Sequence, residues 1–295
     1  MPGGIAVKFG ITFANAGPWA MPEFAEVLAT TAEELGFESL WTVEHVVVPE
    51  GYGSQYPYSR SGRMPGPEEA PIPDPLVWLS WVAARTTTIR LATGILILPQ
   101  RNPVILAKEV ATLDVLSRGR VMLGVGVGWL KEEFDIIGVP FEERGARTDE
   151  AIAALRALWT EDAAEHHGTA FDFAGAKSYP HPWQPGGVPI VIGGHSPAAA
   201  RRAGRLGDGF FPARGDPDEL RALVAQMRGA AEAAGRDPDA VEITFGSRKD
   251  LERARELAAI GASRLTIAPP AFDPVGLRSG LEAFASEVMD PMGRD

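Results

Sequence analysis

Strand patterns that alternate with helical patterns are the feature that most limits how this chain of 295 residues can fold. Short runs rich in β-branched residues recur along its length, separated by longer helical stretches. Strands separated by helices pair in parallel through right-handed crossovers. We count eight runs, at 7–13, 38–43, 89–97, 120–126, 189–194, 209–213, 241–246 and 263–268. Eight such units predict one α/β domain over residues 1–295, a (β/α)8 TIM barrel with insertions.

The helices between these runs have well-marked ends. Several are predicted to begin with a capping residue followed by proline, as in Asp74-Pro75, Asn102-Pro103, Ser196-Pro197, Asp216-Pro217 and Asp273-Pro274. Glycine is expected to close others, at Gly36, Gly119, Gly207 and Gly261. The main alternative fold is an open doubly wound sheet. Such a sheet more often has G-x-G-x-x-G after its first strand, where this chain has FANAG.

Two segments are too long to be simple connections. Residues 45–73 follow the second strand, and residues 162–188 precede the fifth. Long loops in compact domains are usually lids or disordered segments. Because barrel active sites lie at the carboxyl ends of the strands, the first loop is a candidate lid. The second enters its strand from the opposite end, so it is a candidate lid only if it folds back over the mouth.

Composition excludes several classes of function. The chain has no cysteine, which rules out disulfides, thiolate metal sites and cysteine nucleophiles. A net charge of −11 argues against a nucleic-acid partner. The longest apolar runs, such as ILIL at 95–98, are strand-sized, and MPGGIAVKFG is unlike a signal segment. We therefore expect a cytoplasmic protein without a membrane partner.

The residues just beyond the predicted strands are the candidates for a site, and they combine few charges with much glycine and apolar surface. This mixture favours a large planar ligand over a metal, so no metal site is expected. Glu44 and His45 are the candidate catalytic residues, because a histidine after a strand can serve as general acid or base or donate a hydrogen bond to a bound ring. The alternative is a histidine satisfied locally by backbone or by Glu44.

The run GVGVGW at 124–129 allows two interpretations. It differs from the dinucleotide fingerprint at the third glycine, where Gly128 is followed by Trp129. Either backbone passes close to something flat there, or Gly124 and Gly126 simply fit a crowded barrel interior.

A second glycine motif, VPIVIGGHSP, places Gly193, Gly194, His195 and Ser196 at the start of a helix. Free N–H groups at such a start favour phosphate, and the alternative is an ordinary turn with Ser196 as the helix cap. Arg101, Arg201, Arg202 and Arg214 are candidate sources of local positive charge. The chain lacks the G-x-S-x-G, H-E-x-x-H and Walker A motifs, so hydrolase and kinase functions have no support.

Three stretches resemble a known family in order along the chain. They are FESLWTVEHVVVP at 37–49, LATGILILPQRNPVILAKEVATLDVLSRGRVMLGVGVGWLKEEF at 91–134 and VPIVIGGHSPAAARRAGRLGDGFFP at 188–212. The chain resembles the bacterial luciferase-like superfamily, and within it the coenzyme F420-dependent (deazaflavin-dependent) oxidoreductases.

This resemblance implies F420 or FMN at the carboxyl end of the barrel. It implies a non-prolyl cis peptide at Gly94-Ile95 against the ring, with Asn102 near the pendant chain of the coenzyme. Gly193, Gly194 and His195 would receive the phosphate. Gly124, Gly126 and Gly128 would leave room for the ring, and Trp129 would form part of the pocket wall.

The function that the resemblance implies is hydride transfer between F420 and a small organic substrate. One alternative is an FMN-dependent monooxygenase that receives reduced flavin from a partner reductase, and another is a non-catalytic binding barrel. Related sugar-phosphate and alcohol dehydrogenases have an acidic residue where this chain has Trp129, which weakens the case for a sugar phosphate. Glu132 and Glu133 follow one helical turn later. Family members are often homodimers through helices near strands 2 and 3.

Overall fold

The computed structural model describes residues 7–59, 61–213, 215–247 and 250–293. Its strands are β1 (Lys8–Thr12), β2 (Ser39–Thr42), β3 (Arg90–Thr93), β4 (Leu96–Ile97), β5 (Val121–Gly126), β6 (Ala164–His167), β7 (Asp172–Ala176), β8 (Ile190–Gly193), β9 (Gly209–Phe211), β10 (Glu242–Gly246) and β11 (Arg264–Ile267). Within this described part, parallel strands run in the order β3-β2-β1-β11-β10-β9-β8-β5, and β5 pairs back with β3. The pairing closes an eight-stranded parallel barrel and confirms the predicted fold.

Helices follow the barrel strands. They are α1 (Pro22–Glu34), α2 (Pro75–Ala83), α3 (Pro103–Ser117), α4 (Lys131–Ile137), α5 (Arg144–Thr160), α6 (Pro197–Leu206), α7 (Pro217–Ala233), α8 (Leu251–Ile260), α9 (Pro274–Phe284) and α10 (Asp290–Met292). In the described ranges, none of them combines the length and apolar character needed to cross a bilayer.

All five predicted capping pairs begin helices, and each capping side chain accepts a backbone N–H of the first turn. Three of the predicted glycine ends have the left-handed backbone that favours glycine, at Gly36, Gly119 and Gly261. Gly207 differs, since its φ is −86°. A side chain there would meet neighbouring backbone instead, so close packing explains this glycine.

Side chains on the strands alternate between two cores, as the pleat requires. One face of each strand packs under the helices, for example Leu40, Leu123 and Phe210. The other face fills the inside of the barrel, where Trp41 and Phe211 meet edge to face with ring centres 5.3 Å apart. The barrel is therefore packed, and a ligand has access only at its ends.

The amino end of the barrel is closed by buried charges. Arg264 is fully buried and donates to Glu38, Glu242 and the Thr244 hydroxyl. Burial opposes the charge on Arg264, but these carboxylates outweigh it and raise the pKa of Arg264. A site at this end would need to displace these ion pairs, so the opposite mouth is where chemistry can take place.

Two features differ from the predicted elements. The third strand is interrupted, because β3 ends at Thr93 and β4 begins at Leu96. Residues 162–188 contain an antiparallel hairpin of β6 and β7 that the sequence pattern did not predict. The hairpin turn is held by Glu150 of α5, which accepts the N–H groups of residues 169–171, so the hairpin packs on that helix.

Candidate active site

The candidate lid is the loop 45–73, called the lid below, which follows β2 at the carboxyl end of the barrel. Both ends of the lid are tied together. Arg101, after β4, donates to Glu44 at the end of β2 and to Asp74 Oδ2, 2.8 Å away, at the start of α2. Asn15, fully buried after β1, donates to the carbonyls of Val43 and Pro73 at 2.9 and 3.1 Å. The lid is thus a closed loop whose two ends stand side by side.

Glu44, one of the two predicted catalytic residues, belongs to this fastening. Its carboxylate is almost fully buried and accepts from Arg101 and from the backbone N–H of Ile97. Burial disfavours the charge on Arg101, but Glu44 and Asp74 outweigh it, raise the pKa of Arg101 and keep the guanidinium charged. These contacts support a structural role for Glu44 rather than contact with a substrate.

His45, the other predicted catalytic residue, contacts a glutamate from a different part of the chain. Its Nδ1 lies 3.0 Å from Oε2 of Glu133 in α4, whose side chain is fully buried. The second oxygen of Glu133 accepts the N–H groups of Val46 and Val47 at 2.6 and 3.3 Å. Glu133 therefore contacts both the first residues of the lid and the imidazole. The alternative in which backbone or Glu44 satisfies His45 locally does not include this contact.

The neighbouring Glu132 holds the next part of the lid. It accepts from the Gly53 and Ser54 N–H groups at 2.7 and 3.0 Å and from the Ser54 hydroxyl at 2.6 Å. Led by the Ser54 hydroxyl, these donors lower the pKa of Glu132 from 4.5 to about 2. The two adjacent carboxylates of α4 thus fix the lid at two points.

Trp129 is the centre of an aromatic cluster under the lid. Its ring lies edge to face with those of His45, Tyr52 and Tyr56, at centroid distances of 5.7, 5.5 and 5.1 Å. Tyr52 is buried and carries the Arg63 guanidinium over its ring. The predicted pocket wall at Trp129 therefore joins the lid and the histidine in one apolar surface.

The glycine run serves the protein's own packing. A Cβ at Gly124 would lie 1.8 Å from the carbonyl oxygen of Thr93, and one at Gly126 would lie 2.4 Å from Cδ1 of Ile95. At Gly128 the Phe134 ring occupies the corresponding space. These contacts agree with the alternative of a crowded barrel interior, and the expectation that the glycines leave room for a ring stays a prediction. Their space is filled by neighbouring strands and side chains.

Ile95 is the residue that this packing positions. The peptide bond between Gly94 and Ile95 is cis, which confirms the prediction. The Ile95 side chain lies between Gly126 and Gly193. A Cβ at Gly193 would lie 2.3 Å from Cγ2 of Ile95, so this glycine too leaves space for the isoleucine. Ile95 therefore forms an apolar surface between β5 and β8 at the mouth.

The start of α6 has the geometry of an anion site. The Ser196 hydroxyl caps Ala199 N–H, as the alternative interpretation of the motif expected, while the N–H of Ala198 has no acceptor within the helix. The His195 imidazole turns away, because its Nδ1 lies 2.7 Å from the Pro212 carbonyl and its Nε2 lies near Glu219. Gly194 N–H donates to the Phe211 carbonyl. Any phosphate here would be held by helix N–H groups, without the His195 ring.

Two further candidates have contacts of their own. Asn102 caps α3, and its oxygen accepts from Val104 and Ile105. Arg202 pairs with Asp149 on the outside of the barrel. Arg214 lies outside the described residues. Within the described ranges, no group of three or more His, Asp or Glu could hold a metal ion.

Taken together, the mouth offers an imidazole with a carboxylate partner, an apolar surface at Ile95, an aromatic wall at Trp129 and the Ala198 N–H at the start of α6. Sequence reasoning identified His45 and Trp129 but missed the function of Glu133. The only sequence signal for it was the pair of glutamates after the glycine run. This arrangement suits proton transfer to or from a molecule that lies beside a flat, phosphate-bearing ligand.

Known proteins share this architecture. A family model described as luciferase-like monooxygenase matches residues 5–279. The F420-dependent glucose-6-phosphate dehydrogenase of Amycolatopsis mediterranei is 34% identical over 250 residues, covering 81% of this chain and 68% of that protein. The chain belongs to the luciferase-like monooxygenase family, as its motifs predicted, and is an enzyme of this oxidoreductase class.

Solved structures agree with the fold. An F420-dependent secondary alcohol dehydrogenase in complex with an F420-acetone adduct superposes with a TM-score of 0.79 at 20% identity, over 98% of this chain and 99% of that one. The monooxygenase RslO1 from Streptomyces bottropensis gives a TM-score of 0.75 at 25% identity, over 97% and 99% of the two chains.

Proposed function

We propose that this enzyme transfers a hydride between coenzyme F420 and an uncharged small organic molecule with a hydroxyl or carbonyl group. The observation that carries the proposal is the His45 imidazole, which contacts Glu133 on one side and the Trp129 ring on another. Relatives named F420-dependent dehydrogenases support the choice of coenzyme. A bound deazaflavin supplies a ring carbon that accepts or gives a hydride, so the protein must provide position and a route for the proton.

The residues at the mouth fit such a coenzyme. Ile95 offers a flat apolar contact on which a ring can rest, held in place by Gly126 and Gly193. The N–H groups at the start of α6, including that of Ala198, suit a phosphate because they lie at the positive end of the helix dipole. Gly94, Asn102, Gly128, Gly194, His195 and Ser196 remain residues that we propose to surround the coenzyme, with the His195 contribution limited to its backbone.

The substrate is proposed to lie between His45 and Trp129. His45 Nε2 would exchange a proton with the substrate oxygen, while Trp129, Tyr52 and Tyr56 surround its carbon skeleton. An apolar or aromatic alcohol or ketone fits this surface better than a sugar phosphate, because Trp129 replaces the acidic residue of those dehydrogenases. The lid, held by Glu132, excludes water from this space.

A second candidate is a flavin-dependent monooxygenase that receives reduced FMN from a partner reductase. The 25% identity to the monooxygenase RslO1 over nearly the whole chain favours it. The same lid would then protect an oxygen adduct from water.

Titration of the purified protein with F420 and with FMN, followed by fluorescence at one ionic strength, separates the candidates. Tight binding of F420 with weak binding of FMN is the expected result. The opposite preference would reject the F420 proposal in favour of the monooxygenase. Binding without turnover of any alcohol or ketone would indicate a non-catalytic binding protein.

We also propose a homodimer formed through α2 and α3. Five large apolar side chains on these helices are exposed, namely Val77 at 70%, Trp81 at 41%, Val104 at 38%, Ile105 at 60% and Leu116 at 74%. Exposed apolar surface of this kind is typical of protein interfaces.

A further inference from the structure

A fully buried carboxylate stands behind the candidate catalytic histidine. Glu133 lies in the first turn of α4, whereas His45 follows β2, so the two residues come from different strand-helix units of the barrel. The Glu133 side chain has no exposed surface. One oxygen faces His45 Nδ1, and the other accepts the N–H groups of Val46 and Val47. Two backbone N–H groups on one oxygen fix the orientation of this buried carboxylate.

These contacts determine which ring nitrogen carries hydrogen. An ionised carboxylate can only accept hydrogen bonds, so the His45 nitrogen that faces Oε2 must be the donor. We assign the hydrogen to Nδ1 from this hydrogen-bond network. The lone pair of the neutral ring is then on Nε2.

The second ring nitrogen of His45, Nε2, is available to a bound molecule. Nε2 has no hydrogen-bond partner among the described residues, and it is absent from their buried, unpartnered polar atoms, so it retains accessible surface. The ring cannot turn freely, because Trp129 packs against it at an angle of 85°. Nε2 is therefore the one imidazole atom that a molecule at the mouth can reach.

We propose that Glu133 is a positioning residue that fixes His45 as its Nδ1–H tautomer and presents Nε2 to the substrate. The chemical consequence rests on the proposed function. In alcohol oxidation, Nε2 would take the hydroxyl proton as the C=O bond forms, and a bound deazaflavin would supply the acceptor for the hydride of the hydroxyl-bearing carbon. In the reverse direction, the imidazolium returns the proton to the oxygen. Without the Glu133 carboxylate, His45 would remain, but the lone pair of its ring would no longer be held on Nε2, toward the substrate.

Glu133→Gln tests the assignment with little change of shape. The amide oxygen can still accept from Val46 and Val47, while the amide N–H2 now faces Nδ1 and must donate to it. The hydrogen of the ring should then move to Nε2. Proton–nitrogen correlation spectra of protein with ¹⁵N-labelled histidine report the tautomer directly, and His45→Gln identifies the signals.

In wild-type protein without coenzyme, we expect the unprotonated nitrogen of His45 to be Nε2, and in Glu133→Gln to be Nδ1. Hydrogen on Nε2 in wild type, or the same tautomer in both proteins, would overturn the inference. Because no coenzyme is present, this result stands apart from the F420 titration that tests the proposed function.

Kinetics provide the second measurement once a substrate turns over. Glu133→Gln should lower kcat about 10- to 100-fold, which is the usual cost of removing the partner that orients a functional histidine at a metal site. Coenzyme affinity should stay unchanged. Glu133→Asp, which keeps the carboxylate, should recover part of kcat. The matched control is Asp135→Asn on the same helix. The Asp135 carboxylate pairs with Lys131, so this variant should retain full activity. An unchanged kcat in Glu133→Gln contradicts the positioning role.

Discussion

Arg101 and Glu44 form a nearly buried ion pair that fastens the lid to the barrel, and Arg101 extends to Asp74 at the other end of the lid. The Glu44 side chain is 2% exposed, and its charge is stabilised by this guanidinium together with the Ile97 N–H. Through these two ion pairs, Arg101, which follows β4, holds both ends of the lid, which begins after β2.

Arg101→Met should destabilise the protein by about 3 kcal/mol, because it leaves a buried carboxylate without its partner. Denaturation in urea, read as the free energy of unfolding, measures the effect. Arg221→Met is the control, since its partner Asp218 is 89% exposed and such surface pairs contribute about 0.5 kcal/mol. Equal losses in the two variants would show that Glu44 does not rely on Arg101.

Two neighbouring glycines should respond differently to alanine. At Gly124 the new Cβ meets the carbonyl of Thr93, which cannot move without breaking the barrel, so we expect Gly124→Ala to prevent folding. At Gly126 it meets the flexible end of Ile95. Gly126→Ala should therefore fold, as judged by circular dichroism, but bind F420 at least about tenfold more weakly through a displaced Ile95.

Gly229 is the control for this pair. It lies inside α7, and a Cβ there would have no neighbour within 4 Å. Gly229→Ala should raise the free energy of unfolding by about 0.5 to 1 kcal/mol, because alanine is the better helix former. A loss of stability at Gly229 would mean that space is not what distinguishes the three positions.

Acid should loosen the lid through Glu132. Its pKa is lowered from 4.5 to about 2 by the docked lid, so the docked state gains stability that is complete above the ordinary carboxyl pKa. That contribution is lost as the pH falls toward about 2. Amide signals of Gly53 and Ser54 should therefore shift in acid. In Glu132→Ala, which removes the acceptor, they should already resemble the released lid near neutral pH. A variant with wild-type signals at neutral pH would contradict this origin.

His45→Ala should lower kcat about 10²- to 10⁴-fold, the range for loss of a general acid or base, with coenzyme affinity within a few fold. Steady-state kinetics measure kcat, and fluorescence titration measures the coenzyme affinity. His167→Ala is the control, because His167 is exposed and pairs with exposed Asp172. A large loss of coenzyme binding with unchanged kcat would assign His45 to the coenzyme instead.

Ile105→Glu with Leu116→Glu should convert a homodimer to monomers by placing charge in the proposed interface. Light scattering after size-exclusion chromatography gives the mass. Val275→Glu is the control, since Val275 is 80% exposed on α9. A wild-type monomer, or a double variant that remains dimeric, rejects the interface.

The sequence predicted the barrel well because its signals are local. Strand patterns and the five capping pairs are each set within a few residues, and the structure places them close to their predicted bounds. The hairpin of β6 and β7 was missed because its strands are short and largely exposed, so they show no apolar alternation.

The site was predicted less completely, for a geometric reason. His45 follows a strand, and its position at the mouth therefore follows from the fold. Glu133 lies on a helix of seven residues that begins after the turn at Gly128, and so short a helix gives no reliable period from which to read its facing direction. The same limit applies to the Gly126 and Ile95 contact, which depends on how two strands approach each other.

Asn15 and Arg101 give the lid a property beyond its role over the mouth. Since they hold its ends side by side, the chain between 47 and 73 closes a loop whose ordering cost grows only slowly with length. Insertions or deletions there need not disturb the strands. This segment can therefore be replaced as a unit, provided that the new segment keeps contacts for Glu132 and Glu133. Such a replacement would change the substrate preference while the barrel stays the same.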